Sequence, residues 1–365
     1  MKNIVLIATA CRTGGALTIY KQFISHLKEY INGNRYCVFI HPDMPKPEIE
    51  GVIYIEHDTS RHLDRILFDW VNCRKMLDER RIVPDVVLSL QNTGVRSLKD
   101  CRTIIYYHQP LPFYPHKWNP FDKEERTLFY YKHIYPYFVR MSLTEKTDVI
   151  VQIPFIKRGF MSRFDFEEEK IHVLFPDMEK IDAEKVIPYE FGDDKVHMLY
   201  PATAWSYKNH KAIIESLNLV RSLDPELLSR IVVHFTVSKG ENHDLDKMIR
   251  EYDLEQNIVY EGVVSHDVLL SMYKAASVML FPSEIETLGP PLLEAAMFGL
   301  PILVSDLDYA REVLANYDGQ KYISPDDYAG WAREIMNAAC CPRAISPLCQ
   351  NTESSWTYLF SMLNK

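Results

Sequence analysis

Residues 277–306, SVMLFPSEIETLGPPLLEAAMFGLPILVSD, decide the fold class. Two short apolar runs, Val278 to Phe281 and Ile302 to Val304, bracket a helical pattern, so the stretch reads strand, loop, helix, strand. Pro290 and Pro291 suit the start of that helix, because proline presets φ and lacks an N–H that would find no intrahelical partner there. Gly299 suits its end, and Pro301 prevents continuation. Glu286 lies in the loop and Glu294 about one turn inside the helix. Both carboxylates therefore stand near a helix start expected to concentrate unpaired N–H groups. Hydrogen-bond acceptors beside an anion-binding helix end suit a ligand that carries phosphates at one place and hydroxyls at others.

Outward from that stretch, short β-rich runs alternate with longer helical patterns along the whole chain. The first series of runs is Ile4 to Ala8, Cys37 to His41, Val52 to His57, Asp85 to Leu90, Thr103 to His108, Asp148 to Gln152 and Ile171 to Phe175, with helical patterns over 15–30, 61–80 and 124–147. A connector follows over 176–195. The second series is Val196 to Tyr200, Ile231 to Val237, Ile258 to Gly262, the two runs of the opening stretch, and Lys321 to Ser324. Alternation of this kind predicts parallel sheets covered on both faces. The expected organisation is an α/β chain of two Rossmann-like doubly wound domains, 1–178 and 179–350, facing across a cleft. An amphipathic helix over 351–365, built on Trp356, Leu359, Phe360 and Leu363, can pack back on the first domain.

A length of 365 residues suits two cores better than one. Lysine and arginine total 41 against 50 acidic residues, so a net charge of -9 argues against nucleic acid as a partner. The seven cysteines, among them the adjacent Cys340 and Cys341, show no C-x-x-C spacing and point away from disulfides or zinc. The opening MKNIVLIATA imitates a secretory signal, but it is short and runs into Thr13-Gly14-Gly15, so a first strand entering a turn accounts for it. A cytoplasmic location, at the inner face of the membrane, is the expectation.

Ligands of open α/β sheets bind beyond the carboxyl ends of the strands. Four segments stand there: Thr13-Gly14-Gly15, Gln91-Asn92-Thr93-Gly94, His108-Gln109-Pro110 and Lys208-Asn209-His210. Each also has a plain structural reading. Gly14-Gly15 can admit a phosphate or merely make a strand-to-helix turn, and it lacks the full dinucleotide fingerprint. His108 can contact a substrate or be a satisfied turn histidine. Lys208 at a helix start opposes the helix dipole and calls for an anion, although a solvated lysine is the commoner explanation. Asp306-x-Asp308 has the spacing of a metal pair, but Asp244-x-Asp246 repeats it and helix capping explains it as well. Between residues 126 and 164 cations interleave with aromatics, which fits either an anionic lipid surface or an ordinary amphipathic helix.

Together these residues resemble the retaining GT-B glycosyltransferases of family GT4, the glycosyl transferases group 1. Glu286 and Glu294, seven residues apart between Phe281-Pro282-Ser283 and Ala295-Ala296, match that family's E-x7-E signature. Tyr200-Pro201-Ala202, Lys208-Asn209-His210, Gly262, Arg311-Glu312 and Tyr322 to Pro325 support it. The resemblance implies that Glu294 holds ribose hydroxyls, Glu286 the transferred sugar, backbone amides of Thr287, Leu288 and Gly289 the diphosphate, and Lys208 the leaving-group charge. Gly14 and Gly15 would close on the donor phosphates, and His108 would lie near sugar and acceptor. An arginine common five residues before the lysine is replaced by Thr203.

The implied activity is metal-independent transfer of a sugar from a nucleotide-diphosphate sugar, a co-substrate rather than a cofactor, to a saccharide or lipid-linked acceptor in surface polysaccharide synthesis. Hydrolysis or epimerisation of the nucleotide sugar on the same fold, and non-catalytic binding, are the alternatives the residues leave open.

Overall fold

The computed structural model describes residues 1–123, 125–340, 345–349 and 354–365. Glu124, at the head of one predicted helix, Cys341 of the adjacent cysteine pair, and residues 351–353 of the predicted terminal helix lie outside them. The chain divides into two units, Met1–Asp177 with Thr352–Lys365, and Met178–Asn351.

The first unit is a parallel sheet of β1 (Asn3–Ile7), β2 (Arg35–Ile40), β3 (Val52–Glu56), β4 (Val86–Ser89), β5 (Arg102–Tyr107), β6 (Thr147–Val151) and β7 (Ile171–Val173), in the order β3-β2-β1-β4-β5-β6-β7. Its central strands are apolar on both faces, as burial on both sides requires: Ile4 to Ile7, Val86 to Leu88 and Ile104 to Ile105 are closed to solvent. Helix Gly14–Tyr30 lays Ile19, Tyr20, Phe23, Ile24 and Leu27 on one side of the sheet, a stripe at helical spacing.

The terminal helix Trp356–Asn364 completes that side. Its Trp356, Leu359, Phe360 and Leu363 are buried in the same core as Phe23 and Tyr36. Phe360 stacks between Phe23 and Tyr30 at centroid distances of 5.1 and 4.8 Å. Arg102 donates to the Met362 carbonyl at 2.7 Å, and Asp177 accepts from the Ser355 N–H at 3.0 Å, so polar bonds fix both ends of the helix to the unit.

The second unit is a parallel sheet of β8 (Val196–Tyr200), β9 (Ile231–Phe235), β10 (Ile258–Tyr260), β11 (Val278–Phe281), β12 (Ile302–Ser305) and β13 (Gln320–Ile323), ordered β10-β9-β8-β11-β12-β13. The strand order reverses between β8 and β11 here, and between β1 and β4 in the first unit. These reversals are the switch points where neighbouring loops diverge.

The helix of the opening stretch is Pro290–Met297. Gly299 ends it in a left-handed conformation with φ of 68°. The Leu300 N–H reaches the Ala295 carbonyl at 3.1 Å and the Gly299 N–H the Ala296 carbonyl at 3.0 Å, the paired bonds of a Schellman stop. A Cβ on Gly299 would stand 2.5 Å from the Ile345 carbonyl oxygen. Gly299→Ala is therefore expected to destabilise the second unit by about 2 kcal/mol, from left-handed strain plus that collision, read as a lower midpoint in urea unfolding; an unchanged midpoint would contradict the close approach.

Candidate functional site

At the second unit's switch point, the loop after β8 carries Lys208 and the loop after β11 carries Glu286. The Lys208 Nζ donates to Glu286 Oε1 at 2.5 Å, with the two side chains only 14% and 12% exposed. A charge so enclosed is costly without its counter-ion, which is why each carboxylate or ammonium here has a fixed partner. The Glu284 N–H donates to the Tyr207 carbonyl at 2.9 Å and ties the two loops together. The phenol of Tyr200 donates to the Lys208 carbonyl, and that of Tyr309 to the Ser283 carbonyl at 2.6 Å.

Two details differ from the sequence expectation. Lys208 does not lie in the first turn of a helix: it closes the short turn Ser206–Lys208, and Asn209 caps the following helix His210–Leu223 by accepting from the Ala212 N–H. The anion it meets within the protein is the Glu286 carboxylate. The helix start at Pro290 is also poorer in donors than a helix normally is. Pro290 and Pro291 have no N–H, and the Leu292 N–H is taken by the Gly289 carbonyl at 2.9 Å. The amides of Thr287, Leu288 and Gly289 make no hydrogen bond among the described residues. The uncommitted N–H groups therefore sit in the loop, where Gly289 turns with φ of 63°.

Glu294 has its own partners. Tyr273 donates its phenol to Oε2 at 3.2 Å, and His266 stands 3.2 Å from Oε1. Burial, with the Glu294 charge beside it, pushes the Tyr273 phenol well above its ordinary pKa, so it remains a donor. The sequence reading missed both residues. Their seven-residue spacing on the helix His266–Ala275 is the trace they leave, since it places them on one face.

The structure thus brings Lys208, Glu286, Glu294 and the Thr287–Gly289 amides to one end of the second sheet. His108, Gly14 and Gly15 belong to the first unit. Gly14 opens its helix with φ of 58°, and open space surrounds both glycines. His108 follows β5, where its N–H donates to Asn92 Oδ1 at 2.6 Å. Burial holds the His108 imidazole down at about 4, so it is neutral near pH 7. It lines a cavity of about 570 Å³ at the carboxyl end of the first sheet, shared with Gln91, Asn92 and Thr93.

Asp306 accepts from Arg311 at 2.6 Å, and Asp246 from Tyr260 at 2.5 Å and from the Gly240 N–H at 2.9 Å. Among the described residues no group of three or more metal-ligating side chains occurs. In the interleaved region Lys132 donates to the Tyr114 and His116 carbonyls, Lys146 to the Asp100 carbonyl, and Lys157 pairs with Glu168 at 3.4 Å. No helix among the described residues is long and apolar enough to cross a membrane.

Known proteins resemble this arrangement at two levels. In sequence, the chain is 25% identical over 218 residues to the O-antigen chain mannosyltransferase of Salmonella typhimurium, covering 60% of this chain and 58% of that protein. It is 30% identical over 98 residues to an uncharacterized glycosyltransferase of Methanocaldococcus jannaschii, covering 26% of this chain and 25% of that one. In structure, the lipopolysaccharide outer core galactosyltransferase WaaB matches with a TM-score of 0.60 at 18% identity, over 93% of this chain and 90% of its own. WaaG, a glycosyltransferase involved in lipopolysaccharide biosynthesis, matches with a TM-score of 0.64 at 14% identity, over 93% and 90%. These likenesses carry the fold, which is GT-B with two Rossmann-like parallel-sheet domains. The family model for glycosyl transferases group 1 matches residues 183–344, so the second unit, which holds Lys208, Glu286 and Glu294, is a glycosyl transferases group 1 domain.

Proposed function

We propose that this chain is a glycosyltransferase of the retaining GT4 type, moving a sugar from a nucleoside-diphosphate sugar to a saccharide or lipid-linked saccharide in surface polysaccharide synthesis. The observation that carries the reading is the enclosed Lys208–Glu286 pair beside three uncommitted loop amides, in a domain of the group 1 family. The O-antigen and lipopolysaccharide roles in the names of its relatives support the pathway.

The chemistry follows from the charges. Breaking a glycosyl–phosphate bond develops negative charge on the departing diphosphate. Lys208 exchanges Glu286 for that diphosphate, and the Thr287–Gly289 amides add fixed dipoles, so stabilisation grows as the bond breaks. Glu286, released from the ion pair, accepts hydroxyls of the transferred sugar. Glu294, held by Tyr273 and His266, accepts the ribose hydroxyls. His108, neutral at working pH, serves the reacting sugar through hydrogen bonding rather than charge. Gly14-Gly15 leaves room for a phosphate at the start of its helix. No step requires a metal, because Lys208 and the amides take the role a divalent cation would have.

Contact with the inner membrane surface through residues 126–164 belongs to the same proposal. Ile134, Tyr137, Phe138 and Met141 are exposed at helical spacing there, beside Arg140. A face of that kind suits anionic lipid.

Thermal-shift titration with UDP-, GDP- and CMP-sugars is expected to reveal one stabilising donor class. Glu294→Ala should weaken it by about 10- to 100-fold through lost charge-assisted bonds, and Lys208→Ala should lower turnover by about 100- to 1,000-fold. Donor binding indifferent to both substitutions would remove the site. Turnover should persist in excess EDTA, and loss of rate restored by Mg²⁺ or Mn²⁺ would show that a cation takes part. Sedimentation with phosphatidylglycerol vesicles should fall when Tyr137 and Phe138 are both changed to Asp; equal sedimentation of wild type and variant would count against the membrane face.

A further inference from the structure

The proposed donor site has partners for the sugar, the diphosphate and the ribose, but none yet for the base. His266 extends the site past the ribose. Its Nε2 stands 3.2 Å from Glu294 Oε1, and its Nδ1 stands 3.5 Å from Oε2 of Glu179. One imidazole thus bridges two carboxylates, and the second lies one ring and two contacts beyond the first, a separation that a nucleoside spans.

Glu179 is unlike the other carboxylates of the site. Its side chain is 74% exposed against 13% for Glu294, and its Oε1 has no partner among the described residues. An ion pair so open to water contributes little to stability, so folding gives little reason for a carboxylate to stand there. Even a charged imidazole offsets only one of the two carboxylates it touches. Lys180, the next residue, is exposed and has no ionic partner among the described residues, so an available acceptor and an available donor are neighbours in the chain. Val263 is 91% exposed in the loop between β10 and the helix His266–Ala275, where it offers apolar surface to the face of a planar base.

Base chemistry decides which ligand suits these groups. A carboxylate only accepts. Guanine presents two adjacent donors, N1–H and the 2-amino group, which a carboxylate can meet with both oxygens, and O6 stands alongside for an ammonium. Uracil presents a single N3–H between two carbonyls whose lone pairs oppose a carboxylate. Cytosine and adenine place a ring-nitrogen acceptor beside their amino group, with the same result.

We infer that Glu179 reads the base and that the donor is a guanosine-diphosphate sugar, with Lys180 supplying the ammonium for O6 and His266 acting as the positioning residue that sets Glu179 apart from Glu294. The inference rests on the transferase reading above and names the nucleotide which that reading leaves open.

Isothermal titration of the full chain with GDP, UDP, CDP, ADP and inosine diphosphate tests it. GDP should bind about tenfold or more tighter than UDP, CDP and ADP, and by a similar factor tighter than inosine diphosphate, which lacks only the 2-amino group. Glu179→Gln keeps the shape but turns a donor toward one of the two guanine N–H groups, and should bring GDP to the affinity of inosine diphosphate. His266→Ala should weaken every diphosphate through Glu294 and also narrow the GDP-to-UDP ratio, the second effect marking its hold on Glu179. Tighter binding of UDP, CDP or ADP than of GDP, equal affinity of the wild type for GDP and inosine diphosphate, or an unchanged ratio of those two in the folded Glu179→Gln chain would overturn the assignment. A chain that prefers UDP to GDP defeats this inference alone, and a chain that binds no nucleoside diphosphate defeats the transferase reading with it.

Discussion

Both units depend on one topological constraint. In a parallel sheet whose strand order reverses, the loops leaving the two strands at the reversal turn to opposite faces, and their carboxyl ends leave a gap that no helix covers. The chain places its polar loop residues at that gap twice. Between β8 and β11 it places Lys208 and Glu286, and between β1 and β4 it places Thr9 and Gln91. Everything else in each unit, from the apolar central strands to the covering helices, holds those loops still.

Rigidity matters because the charges are enclosed before any substrate arrives. An ammonium and a carboxylate removed from water gain little net stability from each other. Their use is to keep a charge ready in a site of low polarity, where exchanging one anion for another costs less than stripping water from a free lysine. The same logic fixes Asp69 against Arg65 and Glu294 against Tyr273. Glu286 and Asp69 are each held through one oxygen, and Glu294 through both, by Tyr273 and His266.

Much of this was legible in the residues. The thirteen strands among the described residues each overlap a β-rich run recognised from sequence; the central ones are buried on both faces and read as continuous apolar runs bounded by turn residues, as Val278 to Phe281 and Val86 to Leu88 do. The placement of Gly14, His108, Lys208 and Glu286 after strand ends was legible for the same reason. What sequence could not supply was pairing across distance. Lys208 and Glu286 are 78 positions apart, Gln91 and Ala10 81, and nothing local announces either contact. Pro290 and Pro291 marked the helix start correctly, yet the same absent N–H groups that make proline suitable there also leave the uncommitted N–H groups in the Thr287–Gly289 loop. The aromatic and cationic residues of 126–164 looked like one surface, but Lys132, Lys146 and Lys157 are engaged within the unit.

The terminal helix Trp356–Asn364 gives the first unit a peculiar order of birth. Its sheet is fully translated by Val173, but the side of its core around Phe23 and Tyr36 is open until residues 356–364 leave the ribosome. The second unit, encoded wholly in between, has all its strands earlier. A nascent chain thus finishes its second unit while the first-born one still exposes aromatic surface, reversing the usual sequence in which the N-terminal domain closes first.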